Sequence, residues 1–317
     1  MGPIRTVDYH TAGEPFRIVV GGVAPLPGGS VLAQRRWAIE HADGVRRLLV
    51  NEPRGHADMY GCFVTRATHA DLGAVFFHNE GFSTACGHGT IALVTWALES
   101  GRLPAPEGQA EVEVSVEAPS GVVRTRATVR DGDVTVVRFR NVPAFVVRRG
   151  VEAAGHTVDL AFGGAFYAIA PAPAPLDRDG LPRLIERGRA VRRALNAAGG
   201  VVHPLEPELR DVYGVVWTDG DRNVTVFADG EVDRSPCGSG TSARLALLDA
   251  TGELRRGQPL RHRSLVGTEF VGRVVADADV AGLPAVVTEV EGSAHLTGRH
   301  EFILEPDDPL GTGFLLR

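Results

Sequence analysis

The chain has 317 residues, a formal net charge of -6, 44% apolar and 23% charged residues, which describes a mildly acidic globular protein long enough for two cores. No basic excess is present to neutralise phosphates, so nucleic acid is not an expected partner, and no run of 18 apolar residues reads as a membrane span. All 33 basic residues are arginine, so the chain can form neither a pyridoxal phosphate Schiff base nor a P-loop, and any carbanion chemistry must run without that electron sink.

The opening MGPIRTVDYHTAGE has no apolar core behind Arg5, so no secretory leader is expected. Three cysteines, Cys62, Cys86 and Cys237, are too few and too odd in number for a disulfide scaffold, and a reducing cytoplasm is the expected location. Thr6-Val7-Asp8 leads into FRIVV, and the run GAVFF ends a predicted strand at Phe76-Phe77. CGHGTIALVTWALESGRL follows from Cys86; Ile91, Leu93, Val94, Trp96, Ala97 and Leu98 leave it almost no polar face, which predicts a buried helix stopped at Gly101. Short Val-rich strands between Gly and Asp turns fill 123–142. IAPAPAPL (169–176) is expected to be a loop, and 182–197 an amphipathic surface helix with Leu184, Ile185, Val191 and Leu195 inward and its arginines in solvent.

From there the chain repeats itself. Thr157-Val158-Asp159 leads into LAFGGAFYAIA, VTVFA matches GAVFF, and CGSGTSARLALLDATGEL from Cys237 matches the run from Cys86, all at an offset of 151. The two 18-residue runs share seven positions, among them the cysteine, both CGxG glycines and the following threonine. The expectation is an α/β fold of two pseudo-symmetric lobes, 1–150 and 151–317, each with a cysteine at the N-terminus of its central helix.

A free thiol has a pKa of about 8.5 and falls toward 7 or below at a helix start, where exposed N–H groups favour the anion. The same N–H groups suit a substrate carboxylate. If the lobes pack about a pseudo-twofold axis, one sulfur can take an α-proton while the other returns one to the opposite face, which is racemisation. Other readings remain at this level. Cys62 in MYGCF reads as a small buried hydrophobe. Cys86 and His88 could be zinc ligands, but no second cluster completes the set; no metal and no cofactor are expected. A Cys–His hydrolase would leave the second cysteine unexplained.

The segments HTAGEPFRIV (10–19), EPRGHADMYG (52–61), STACGHGTIAL (83–93), DLAFGG (159–164) and VDRSPCGSGTSARLA (232–246) resemble the proline racemase family, within the diaminopimelate-epimerase-like folds, along nearly the whole chain. The resemblance implies barrel-like sheets around central helices, a homodimer, and a small-molecule substrate, proline or a hydroxyproline. It implies Cys86 and Cys237 as acid/base pair, Gly87-His88 and Gly238-Ser239 as carboxylate binders, and Asp233 as partner of the ring nitrogen. Asp233 also fits on its own terms, since a secondary ammonium needs a nearby carboxylate. His10, Glu14, His56 and Asp58 sit in family-like segments without a chemistry of their own. Racemases and 4-hydroxyproline 2-epimerases resemble this chain in having cysteine at 237, where trans-3-hydroxy-L-proline dehydratases carry threonine; the surrounding HNEGFSTACGHGTIAL and TVFADGEVDRSP look as much like the dehydratase branch. Because position 237 decides whether a second proton can be delivered, racemase or epimerase is the expected activity. A dehydratase is the alternative, and a non-catalytic amino-acid-binding module the third.

Overall fold

Strands form where apolar and polar residues alternate, and a computed structural model describing residues 2–316 shows how they assemble. In chain order the first copy runs β1 (Ile4–Thr11), β2 (Glu14–Gly21), α1 (Val31–His41), α2 (Asp43–Val50), β3 (Tyr60–Thr65), β4 (Leu72–His78), α3 (Gly87–Glu99), β5 (Gln109–Ala118), β6 (Gly121–Arg130) and β7 (Asp133–Arg140). β6 illustrates the rule: Val123, Thr125, Ala127 and Val129 point inward, Arg124, Arg126 and Arg130 outward. Asp131 and Gly132, both at positive φ, turn the chain into β7.

The second copy runs β8 (Ala144–Ala153), β9 (His156–Phe162), β10 (Phe166–Pro171), α4 (Leu181–Ala197), β11 (Val212–Asp219), β12 (Arg222–Phe227), β13 (Glu231–Val232), α5 (Gly238–Thr251), β14 (Leu260–Arg263), β15 (Glu269–Val280) and β16 (Leu283–Gly292); β17 (Ala294–Phe302) follows. The amphipathic helix lies as expected, with Leu184, Val191 and Leu195 buried. IAPAPAPL is only partly a loop: Ile169–Pro171 complete β10, with Pro171 at the strand end where its missing N–H costs least.

The contacts divide the chain into Met1–Val137 with Ser293–Arg317, and Arg138–Gly292. This moves the boundary expected at 150/151. β8, the strand that spans that expected boundary, folds back on β9 through the tight turn at Ala154-Gly155, a hairpin with a short loop to close, while β17, the last strand of the chain, pairs along all of β1, from Ile4↔Phe302 to Thr11↔Ala294.

In the first unit the strands pair in the order β17–β1–β2–β3–β4–β5–β6. α3 touches β17 and β6 as well as strands between them, so the sheet curls around it. Residues 87–98 of α3 are buried throughout, and its threonines return their hydroxyls to the helix, Thr90 to Cys86 O (2.8 Å) and Thr95 to Ile91 O (2.9 Å). Arg17 anchors the returning strand: it pairs with Asp8 (2.7 Å) and stacks on Phe302 at 4.3 Å, with Asp8 also facing His300 at 3.4 Å.

In the second unit the ring closes: β8–β9–β10–β11–β12–β14–β15–β16 and back to β8, eight strands around α5. The fold is α/β with a sheet about one buried helix in each unit. Among the described residues no helix is long and apolar enough to cross a membrane.

Candidate active site

Cys86 is the N-cap of α3, its backbone extended (φ -154) and its sulfur accepting from Gly89 N–H at 3.2 Å. A helix-start N–H pointed at a sulfur is a donor that stabilises its anion. Gly89 must be glycine for a packing reason: a Cβ there would stand 2.3 Å from the Phe16 ring and 2.7 Å from the Cys86 sulfur. His88 lies beside the sulfur, Nε2 at 3.4 Å and Nδ1 at 3.6 Å, and meets the rings of Phe16 and Tyr60 edge-on at 5.6 and 4.9 Å. Burial drops its pKa to about 3, so the imidazole is neutral and can accept from a thiol or donate to a thiolate without carrying charge. The Thr11 hydroxyl donates to His88 O (2.9 Å), and Tyr60 hydrogen-bonds Ser83.

Cys237 opens α5 differently. Its φ is 64, a left-handed conformation that costs a side-chain-bearing residue about 1–2 kcal/mol. The Ser235 hydroxyl takes the Cys237 N–H at 3.1 Å and also donates to Asp233 at 2.7 Å, so one serine ties the carboxylate to the cysteine. Asp233 further accepts from Ser235 N–H at 2.8 Å. Burial pushes Asp233 up to about 6, against the pull of Ser235, Cys237 and Arg234. Burial and then the Asp233 charge push Cys237 up to about 12, against the Gly240 N–H, Tyr167 and Thr225. Gly240 repeats the part of Gly89, its position leaving only 3.0 Å between an added Cβ and the sulfur, although its N–H is not aligned as a cap hydrogen bond. At rest Cys237 is therefore a thiol. Its S–H donates to the Tyr167 hydroxyl (3.7 Å), which shares a 2.7 Å hydrogen bond with Ser239; Ser239 Oγ is 4.0 Å from the sulfur.

The expected residues thus gather by unit: Cys86, Gly87 and His88 at the start of α3, and Asp233, Cys237, Gly238 and Ser239 around the start of α5, all buried. Cys62 is fully buried on β3, and burial raises its thiol. His10 accepts from Gly13 N–H (3.3 Å) and faces His295 at 5.2 Å, His56 contacts Ala57 O at 2.8 Å, and Glu14 and Asp58 are buried. Among the described residues no three His, Cys, Asp or Glu side chains group as metal ligands. The residues missed by sequence reasoning are Phe16, Tyr60, Tyr167, Thr225 and Ser235. A signal for two of them existed: Phe16 and Tyr167 are 151 apart, as are His88 and Ser239, so the ring beside each cysteine's second neighbour is itself a repeated position.

A family model described as proline racemase matches residues 6–315, and the chain belongs to that family. It is 44% identical to a 3-hydroxyproline 2-epimerase of Burkholderia multivorans, over 99% of this chain and 98% of that one. It is also 44% identical, with the same coverage, to a trans-3-hydroxy-L-proline dehydratase of Burkholderia cenocepacia. Among solved structures, a hydroxyproline epimerase of Agrobacterium vitis with bound trans-4-hydroxy-L-proline superposes with a TM-score of 0.91 at 32% identity, covering 100% of this chain and 97% of that one. The chain is an enzyme of this family.

Proposed function

We propose that the protein inverts the α-carbon of proline or a hydroxyproline without a cofactor, with 3-hydroxyproline the first substrate to test because the epimerase relative from Burkholderia multivorans is named for it. The observation that carries this is the second cysteine: Cys237 stands at the helix start equivalent to that of Cys86, with its own carboxylate and hydroxyl neighbours.

In this reading the N–H groups at Gly87-His88 and Gly238-Ser239 take the substrate carboxylate and Asp233 takes the ring ammonium. The Cys86 thiolate removes the α-proton and becomes a thiol; the Cys237 thiol gives its proton to the opposite face of the carbanion and becomes a thiolate. The reverse reaction exchanges the roles. A cation beside Asp233 offsets the charge that raises Cys237, so substrate binding itself makes that thiol a better acid. Each helix supplies about 0.3–1 kcal/mol to an exposed anion, and up to ~2 when partly buried. The rest of the carbanion's stabilisation comes from direct N–H hydrogen bonds and exclusion of water. A cytoplasmic homodimer is the assembly that accompanies this reading, and light scattering of the purified enzyme measures it.

The second reading is elimination of a 3-hydroxyl, favoured by the dehydratase relative of equal identity. It needs one strong base and a proton for the leaving oxygen, and it leaves the thiol at 237 without a required part. Incubation in deuterated water with proline, trans-3- and trans-4-hydroxy-L-proline, read by NMR, separates the two. Inversion with deuterium at the α-carbon supports the proposal; loss of the ring hydroxyl without inversion assigns the dehydratase.

A further inference from the structure

We propose that Tyr167 is the positioning residue of the Cys237 sulfur, its hydroxyl accepting from the thiol in one half-reaction and turning to donate to the thiolate in the other. Its place in catalysis rests on the two-cysteine reading above, but its geometry belongs to the second unit alone. The Tyr167 hydroxyl stands between the Cys237 sulfur (3.7 Å) and Ser239 Oγ (2.7 Å). Both hydroxyl hydrogens are free to rotate. With the sulfur protonated, the chain of donors runs from Cys237 to Tyr167 to Ser239. With the sulfur ionised it reverses, Ser239 donating to Tyr167 and Tyr167 to the sulfur, with no heavy atom moving.

The surroundings make this donor matter. The charged group facing Cys237 is Asp233, from the turn before α5, and it disfavours a thiolate. Arg234, beside it, donates to Val232 O at 2.7 Å and acts on Asp233. From the strands, β10 brings Tyr167, with Tyr213 edge-on behind it at 5.9 Å; β9 brings Ala161, β11 Val216 and β12 the Thr225 hydroxyl. A thiolate at 237 is therefore held by the Gly240 N–H and by neutral hydroxyls, with no cation from these strands to help.

The two copies also exchange partners in a compensating way. Beside Cys86 the second neighbour is the large His88 and the strand ring is Phe16, which has no hydroxyl; beside Cys237 the second neighbour is the small Ser239 and the strand ring is Tyr167, which reaches the sulfur. Each sulfur thus has a neutral, reversible hydrogen-bond partner at one of the two repeated positions: the second neighbour His88 for Cys86, the strand ring Tyr167 for Cys237.

The test is the rate of iodoacetamide alkylation at Cys237 and Cys86 in the full-length protein at pH 8, read peptide by peptide in wild type and Tyr167→Phe. Loss of one donor to the thiolate raises the Cys237 pKa by about a unit, cutting the thiolate tenfold, and the more basic sulfur regains part of that. Cys237 should slow roughly three- to tenfold while Cys86 stays within twofold. Phenylalanine is the smaller side chain, so any opening of the site would speed alkylation, not slow it. An unchanged or faster Cys237 overturns the proposal. Should Tyr167→Phe lose its cooperative melting transition, Ser239→Ala decides: a smaller slowing confined to Cys237 supports the chain of hydroxyls, and no slowing refutes it. Because alkylation needs no turnover, a slowed Cys237 in a protein that racemises nothing would leave the positioning intact and sink the two-cysteine reading instead.

Discussion

Asp233→Asn should make the protein more stable and much less active, and the gain in stability should depend on pH. The carboxyl stands at about 6 against an ordinary value of 3.8, so ionising it in the folded protein is disfavoured by about two units. At 1.36 kcal/mol per unit that is roughly 3 kcal/mol. A carboxyl raised on folding gives its full contribution below its unfolded pKa and loses it as pH climbs through the folded value; wild type therefore weakens between about pH 4 and 7. Asparagine keeps an oxygen to accept from the Ser235 N–H and hydroxyl, and has no charge to bury. Differential scanning calorimetry at pH 8 should show the variant melting higher by roughly 3–8 °C, with the two proteins converging at pH 4. Turnover should fall by about 10- to 100-fold in kcat/KM, because the substrate ammonium loses a charged partner. An advantage that is absent at pH 8, or constant across pH, would refute the buried-carboxylate argument.

Gly89→Ala and Gly240→Ala should both be damaging but unequal. The first must displace the buried Phe16 ring from 2.3 Å, the second meets its nearest atom at 3.0 Å, so thermal melting should rank Gly89→Ala as the worse by more than 1 kcal/mol; the opposite order contradicts the packing account. Pyrrole-2-carboxylate, planar like the carbanion, should bind more tightly than proline and protect Cys86 and Cys237 from iodoacetamide without changing Cys62. Titration calorimetry finding no binding, or protection of only one of the two, would count against a shared substrate.

The helix starts were legible because CGxG followed by an apolar run occurs twice; the state of the second thiol was not, because burial and the Asp233 charge push Cys237 up to about 12 where a helix start alone would lower it. Nor was the placement of β17: a partner almost three hundred residues away leaves no local mark, and AHLTGRHEF is mostly exposed, with few apolar residues to show which sheet it joins. Ile169–Pro171 misled through composition, since prolines mark loops unless they sit at a strand's end. Asp233 could be chosen from its neighbourhood to Cys237 in sequence, but its tie through Ser235 could not, because that serine is one hydroxyl among many until the turn is folded. Phe16 and Tyr167 lay inside matched segments, and FRIVV (16–20) set against YAIAP (167–171) at the offset of 151 shows that a phenylalanine and a tyrosine exchange there.

The central claim is that Cys86 and Cys237 serve opposite faces of one α-carbon, and α-proton exchange in deuterated water by Cys86→Ser and Cys237→Ser tests it most directly. A serine hydroxyl is too weak a base to replace a thiolate, so neither variant should invert the substrate. Each should still exchange the α-proton of one enantiomer, and the two variants should choose opposite enantiomers, because each retains the base on one face. A variant that inverts at a near-normal rate, or two variants that exchange the same enantiomer, would contradict the two-cysteine account.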